Sequence, residues 1–309
     1  MTSKLAVGVV FLAVGLLSGP ARAGTVSVAV WPRADLNAVG PGVLYTADRG
    51  ERNALVVTEG RDSSTSILTV TDPAGVRAGR GCVQTADDPT QATCETASRF
   101  DFVDVALGDR DDTAAVDGGW HTLVSLDGGS GDDRLRGAIL GQYVFVGGSG
   151  NDRMSGGYYD DVFDEGAQRN GRDVMFGGQG VDTVDYSGRD RAVHASLHQA
   201  TSDGERGERD RIHAAETLFG GAAGDRLAGS AGRDYLLGGP GADVLSGLGG
   251  GDYLAGGWRR WPVSRTAPVR TGRGPHRDRL YGNFGSDTLV AAPAEERELD
   301  AAFQQAIGA

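Results

Sequence analysis

The sequence predicts an all-β chain: a parallel solenoid of short strands in two facing sheets, preceded by a small β-rich region. Three observations carry this. Glycine accounts for 51 of 309 residues and comes in clusters with aspartate, not spread as in a linker. Aromatic residues make up only 7%, poor material for one large globular core. And the stretches "GSAGRDYLL", "GGPGADVLS" and "GLGGGDYLA" follow one another from Gly229 to Ala255, each with glycine first, aspartate sixth and leucine eighth. A period of nine excludes collagen, whose period is three, and directs the reading to a repeat architecture.

Residues 1–23 read as a secretion signal. Lys4 is the positive start, Leu5–Leu17 an apolar run of 13 residues, and "ARA" (Ala21–Ala23) a small-x-small cleavage site. The run is short against the roughly 20 residues a membrane span needs. The mature chain is therefore expected to begin at Gly24, to be secreted and extracellular, and to have no membrane span. Cleavage removes Lys4 and Arg22 and no acid, moving the net charge from −12 to −14. So acidic an exported chain argues against nucleic acid and for a cation as partner.

Residues 24–106 form the β-rich region. "TVSVAVW", "VLYTA", "ALVVTEG" and "SILTVTD" are strand-like runs broken by Gly, Pro and Asp, with Glu59–Asp62 as a candidate tight turn. Cys82 and Cys94 are the only cysteines, and in an exported protein they are expected to pair, adding about 2–3 kcal/mol.

The repeats divide into a first block over 107–185, an interruption over 186–219 and a second block over 220–290, followed by a tail over 291–309 whose pattern is helical. The unit at Leu107–Ala115 is degenerate, and the unit from Gly137 has Gln142 in place of aspartate. Position eight is apolar throughout: Leu135, Val144, Met154, Phe163, Met175, Val184, Leu227, Leu236, Leu245, Leu254, Leu280 and Leu289. A flexible linker would not keep an apolar residue in every unit. Six turn residues, with glycines at positions one, two and four free to take left-handed angles, then lead into three strand residues. Two units make a coil, and coils stack about 4.8 Å apart with position eight as a thin core. The position-six aspartates then fall into two columns. Carboxylates about 5 Å apart repel by roughly 3 kcal/mol at an effective dielectric of 20. Oxygen-only donors at flexible spacing suit Ca²⁺ between them.

Units such as "GGSGDDRLR", "GGSGNDRMS", "GGQGVDTVD" and "GGPGADVLS" resemble the hemolysin-type calcium-binding (RTX) repeat GGxGxDxUx. Together with the signal and the cysteine pair, they make the chain similar to secreted actinobacterial calcium-binding repeat proteins. The resemblance implies a parallel β-roll over about residues 107–290, with several Ca²⁺ ions held between successive turns by aspartates and main-chain carbonyls. Carried over unit by unit, the ligands are Asp133, Asp152, Asp161, Asp173, Asp182, Asp225, Asp234, Asp243, Asp252, Asp278 and Asp287. The implied carbonyl donors are Gly128, Gly131, Gly147, Gly150, Gly177, Gly180, Gly229, Gly232, Gly238, Gly241, Gly247, Gly250, Gly282 and Gly285. The chain departs from the pattern at Gln142, Tyr159, Ala223 and His276, which puts the turns they occupy in doubt.

Partners on one edge lie two units apart, pairing Asp225 with Asp243 and Asp234 with Asp252. The insertion after Gly257 is either a loop bulging from one turn, so that Asp278 joins Asp243 and Asp287 joins Asp252, or a unit of its own, so that Asp278 follows Asp252. The bulge is the preferred reading, because the inserted residues carry no repeat pattern; Asp243 would then touch two ions.

Other constellations are weaker. His194 and His198 alternate as on a strand facing solvent, and neither HExxH nor GxSxG occurs. "WRRWPVSR" (Trp258–Arg265) is the one basic, aromatic patch, and an extracellular glycan or cell-surface component is the partner class it admits. The expectation is a non-enzymatic calcium-binding protein with a structural or surface-interaction role. The alternative is a carbohydrate-active enzyme, of epimerase or lyase type, carrying these repeats; the region before the repeats offers no obvious catalytic set for it.

Overall fold

The computed structural model describes residues 23–33, 38–61, 65–198, 203–241 and 243–256, together with the strands Val269–Arg270, Arg279–Tyr281 and Leu289–Val290. The tail over 291–309, the patch Trp258–Arg265, Asp278, Asp287, Gly282 and Gly285 lie outside the described residues. Among the described residues every regular element is a strand, and no helix is long and apolar enough to cross a membrane.

The three-residue strands form because each unit offers only three residues between glycine-rich turns. Arg134–Arg136, Arg153–Ser155 and Val174–Phe176 stack in parallel, with Leu135, Met154 and Met175 in register. Successive strands alternate between two faces. One face is a single twelve-stranded sheet running through the repeats and into the β-rich start. The other begins as a nine-stranded sheet and ends as a six-stranded one. The chain is thus an all-β, parallel β-roll.

The changeover occurs in the interruption. After Thr183–Asp185, the strand Val193–Ser196 does not join the nine-stranded sheet; it pairs with Arg226–Ala228 and opens the six-stranded one. Arg211–His213 then returns to cover Val174–Phe176, and Thr217–Phe219 covers Thr183–Asp185. The twelve-stranded face therefore passes unbroken across residues 186–219. His194 and His198 are exposed, as expected from the alternation.

The β-rich start closes the end of the same two faces. Phe102–Ala106 pairs in parallel with Gly119–Asp127, and Ala54–Arg61 with Thr113–Asp117. One buried cluster runs from Val26 through Leu55 and Leu68 to Leu254. Cys82 and Cys94 stand opposite one another in adjacent antiparallel strands and form the disulfide. The hairpin turn comes later than Glu59–Asp62: Glu59 still pairs with Leu68, and Arg61 with Ser66.

Two registers differ from the sequence reading. The unit from Gly137 is ten residues long, since the next begins at Gly147. The extra residue moves the core site from Val144 to Phe145, which pairs with Phe163 at a ring separation of 5.1 Å. Tyr143, not Gln142, takes the position-six place and is buried. Second, the insertion after Gly257 is not a bulge. It supplies a strand, Val269–Arg270, that pairs with Val244–Ser246. Arg279–Tyr281 consequently stacks on Tyr253–Ala255, and Leu289–Val290 on Val269–Arg270. The strand after Asp278 thus follows the one after Asp252, and the edges swap. A parallel edge whose backbone groups are left unpaired is costly, and that demand recruits a strand from a segment with no repeat pattern.

Phe145→Ala should destabilise the fold by about 3–5 kcal/mol, the cost of a large core truncation. Val144→Ala should cost about 1 kcal/mol or less, since Val144 lies on the half-exposed face. Paired denaturant unfolding curves measure both, and a larger loss for Val144→Ala would contradict the ten-residue register.

Candidate metal centre

Each position-six aspartate stands immediately before a three-residue strand, where the turn closes against the next coil. Asp133, Asp152, Asp161, Asp173, Asp182, Asp225, Asp234, Asp243 and Asp252 are all exposed by 1% or less. Except in Asp234, whose Oδ1 accepts the Ser230 hydroxyl at 3.0 Å, each Oδ1 accepts the backbone N–H at the matching position of the neighbouring coil. Asp133 N donates to Asp152 Oδ1 at 2.8 Å, Asp152 N to Asp173 at 2.7 Å and Asp161 N to Asp182 at 2.9 Å. In the second block, Asp225 N donates to Asp243 at 2.8 Å and Asp234 N to Asp252 at 3.0 Å. Asp225 and Asp243, and likewise Asp234 and Asp252, are thus neighbours along an edge, as the sequence predicts. What separates successive carboxylates is a main-chain dipole, so part of the repulsion inferred from the sequence is offset by the backbone.

The columns number three, not two, because one face carries two sheets. They also contain residues outside the expected set. Asp112 accepts from Asn53 N at 2.7 Å and donates its own N–H to Asp133. Asp210 accepts from Asp173 N at 3.0 Å, and Glu216 Oε2 from Asp182 N at 2.9 Å. Asp210 and Glu216 lie two residues before the buried Ile212 and Leu218, as Asp173 lies two before Met175. That shorter acid-x-apolar signal is legible once the glycines are ignored; Asp112 sits sixth in the degenerate unit.

The second carboxylate oxygen divides the turns into two kinds. In Asp112, Asp133, Asp152, Asp173 and Asp182 it is buried with no hydrogen-bond partner. In Asp161, Asp225 and Asp234 it accepts from the turn's own second residue: Gly157 N at 2.8 Å, Gly221 N at 2.6 Å, and both N and Oγ of Ser230. Backbone angles account for the division. In the GGxG turns that begin at Gly128, Gly147 and Gly177, positions two and four are left-handed, as in Gly148 at φ 91° and Gly150 at φ 143°. Tyr159 and Ala223 replace the fourth glycine and Ser230 the second, and these side chains resist positive φ. The turn then takes another path and its N–H closes on the aspartate. Leu248 does adopt a left-handed angle, φ 65°, but lacks the hydroxyl that gives Ser230 its alternative. Position one is glycine for a different reason. It has no left-handed angle; a Cβ on Gly147 would stand 2.5 Å from Asp152 Oδ2.

The same space receives main-chain oxygens. A Cβ on Gly128 would meet Asp133 Oδ2 and, at 2.7 Å, the carbonyl of Gly147 from the next coil. One on Gly156 would meet Asp161 Oδ2 and, at 2.6 Å, the carbonyl of Gly177. On the second block, a Cβ on Gly220 would stand 2.6 Å from the carbonyl oxygen of Gly238, and one on Gly229 2.7 Å from that of Gly247. At position four, the carbonyl of Gly131 points at Gly150 and that of Gly232 at Gly250. In the open turns of Asp133 and Asp182, carboxylate and carbonyl oxygens thus converge without a donor, the set a hard cation such as Ca²⁺ takes. Burial pushes the carboxyls up, to about 7 in Asp112, Asp152, Asp173 and Asp182 and to about 6 in Asp133, Asp161 and Asp225.

The family model for the RTX calcium-binding nonapeptide repeat (4 copies) matches residues 125–139, 146–164, 169–188, 218–257 and 274–292. No curated protein matches the chain.

Between about pH 4 and 7 the folded chain holds protons that these carboxyls have lost when unfolded, so metal-free stability falls as pH rises through that window. A bound cation favours the ionised form, so calcium uptake should release protons and strengthen over the same window. Calorimetric unfolding in chelator should therefore give a lower Tm at pH 8 than at pH 5, and millimolar calcium should close or reverse the gap. An unchanged gap would contradict this assignment of the carboxylates.

Proposed function

The chain is an RTX repeat protein, and from that premise we propose that it acts outside the cell as a non-enzymatic calcium-binding protein with a structural or surface-interaction role. The observation that carries this reading is the run of buried aspartate oxygens that have no donor and face the carbonyls of an adjacent coil. Calcium supplies the positive charge that such a set lacks. The residues that would hold it in complete turns are Asp133, Asp152 and Asp182, with the position-one glycines opposite. Asp161, Asp225 and Asp234 must first release a turn N–H, so their sites should fill at higher calcium. Export from the cytoplasm, supported by the signal-like residues 1–23, would carry the chain from low calcium to the roughly 10⁻⁴–10⁻³ M range in which extracellular modules bind.

Circular dichroism and thermal unfolding during a calcium titration test the proposal. Calcium should deepen the β-signal and raise the Tm; no response at 10 mM calcium would overturn it. In calorimetric titrations, Asp152→Asn should lose a tight site, whereas Asp161→Asn should remove only a weak one. Equal losses would show that the closed and open turns do not differ in affinity. Incubation with uronate polymers should generate no new double bonds and leave the epimer ratio unchanged.

A further inference from the structure

Where the second face changes sheets, the lengthened unit and the interruption bring Glu165, an acid outside the repeat pattern, beside two carboxylates of the position-six column. Glu165, Asp173 and Asp210 are buried, and each offers a carboxylate oxygen within 4.8 Å of the others. Arg189 is fully buried beside them. Its guanidinium lies 2.9 Å from Glu208, 3.6 Å from Glu165 and 3.7 Å from Glu205. Five carboxylates therefore share one buried cation, and a buried charge without a partner is costly.

The hydrogen bonds show which oxygens remain open. Glu165 Oε2 accepts from Asn170 Nδ2 at 3.0 Å, and Asp210 Oδ2 from the Tyr186 hydroxyl at 3.1 Å. Asp173 and Asp210 each spend Oδ1 on a backbone N–H. Glu165 Oε1 and Asp173 Oδ2 have no hydrogen-bond partner, although the Glu165 side chain is 0% exposed. Nothing in the nonapeptide pattern requires a glutamate at 165. Gly204 adds to the enclosure: it is left-handed at φ 91°, and a Cβ there would run into Asp210 Oδ2 and Glu208 Oε2.

We infer that Glu165 joins the position-six pair Asp173 and Asp210 in an interior site for a hard divalent cation of the calcium class, an inference that rests on the calcium reading of the turns and adds to it a ligand from the segments that break the repeat. The donors are all oxygen, with no histidine or thiol, which disfavours zinc and copper. Asn170 and Tyr186 hold the outer carboxylate oxygens, and Arg189 binds the remaining acids, so that the open oxygens of Glu165 and Asp173 are left for the ion. An ion here would tie the lengthened unit to the interruption at the point where the second face is discontinuous.

The test uses the full chain loaded with Tb³⁺ and, separately, Ca²⁺. An anomalous difference map of crystals soaked in Tb³⁺ should show a peak among Glu165, Asp173 and Asp210. Native mass spectrometry of Glu165→Gln in calcium should count one ion fewer than wild type, with the turn peaks retained in its own Tb³⁺ map. A wild-type map without the interior peak, or an unchanged ion count, would overturn the inference and leave the cluster as carboxyls sharing protons. If Glu165→Gln fails to fold, the wild-type map still decides. Turn peaks without the interior peak would refute this site alone, and the interior peak without turn peaks would refute only the calcium-loaded turns.

Discussion

The fold depends on the hydrogen bond from a backbone N–H at position six to the aspartate of the next coil. A three-residue parallel strand offers few ladder bonds, and its turn leaves main-chain groups facing a neighbour with no regular partner. The aspartate extends the ladder by one donor–acceptor step, at the place where the turn would otherwise open. Asp133, Asp152, Asp173 and Asp210 form an unbroken chain of such bonds along one edge. The geometry has a consequence for charge. With one oxygen tied to backbone and the side chain buried, the other oxygen is directed into the turn, where carbonyls face it unless the turn's own N–H closes on it. The same residue that sets the stacking thereby creates the demand for a cation.

Glycine then decides how each turn answers that demand. Left-handed angles at positions two and four swing the turn's N–H groups away from the aspartate, and the absence of a Cβ at position one leaves room for its oxygen. A substitution in this set reverses the outcome where the new residue leaves the left-handed region, as Tyr159, Ala223 and Ser230 do; Arg110, at φ 84° in the turn of Asp112, stays in it. Ser230 satisfies Asp234 with its own N–H and hydroxyl, and the turns with Tyr159 and Ala223 do so with Gly157 and Gly221. The roll thus contains turns that need an ion to satisfy the carboxylate and turns that satisfy it internally. Graded calcium affinity follows from local backbone chemistry, without any change in the stacking.

Imperfections in the repeat do structural work of another kind. The unit lengthened between Asp164 and Asp173 and the interruption after Asp185 let one face switch sheets while the twelve-stranded face continues. A regular repeat buries only its position-six and position-eight side chains at each level. Here Glu165, Arg189 and Asp210 enter the interior, and Tyr186 and Asn170 arrange them. Charge burial of this extent is tolerated only when partners surround it, and the guanidinium of Arg189 is central to that arrangement.

The sequence by itself determined the repeat, its two-strand coil, the buried apolar residue of every regular unit, the disulfide partners and the stacking of Asp225 with Asp243 and of Asp234 with Asp252. Each of these follows from spacing: a side-chain period within a strand and a nine-residue return bring like residues to like places. The sequence also marked Tyr159 and Ala223 as places where turns would differ. What it did not determine depends on contacts between distant coils. Val144 and Phe145 are both apolar, and only pairing with Phe163 shows which one faces inward. Asp112, Asp210 and Glu216 lack the glycines of the motif and are identified by the N–H groups of Asn53, Asp173 and Asp182. The strand Val269–Arg270 carries no repeat signature; it forms because Val244–Ser246 would otherwise present unpaired backbone. Period constrains residues a fixed distance apart along the chain, whereas the hydrogen-bonding needs of a sheet edge can be met by whichever segment reaches it, and only the tertiary structure shows which one does.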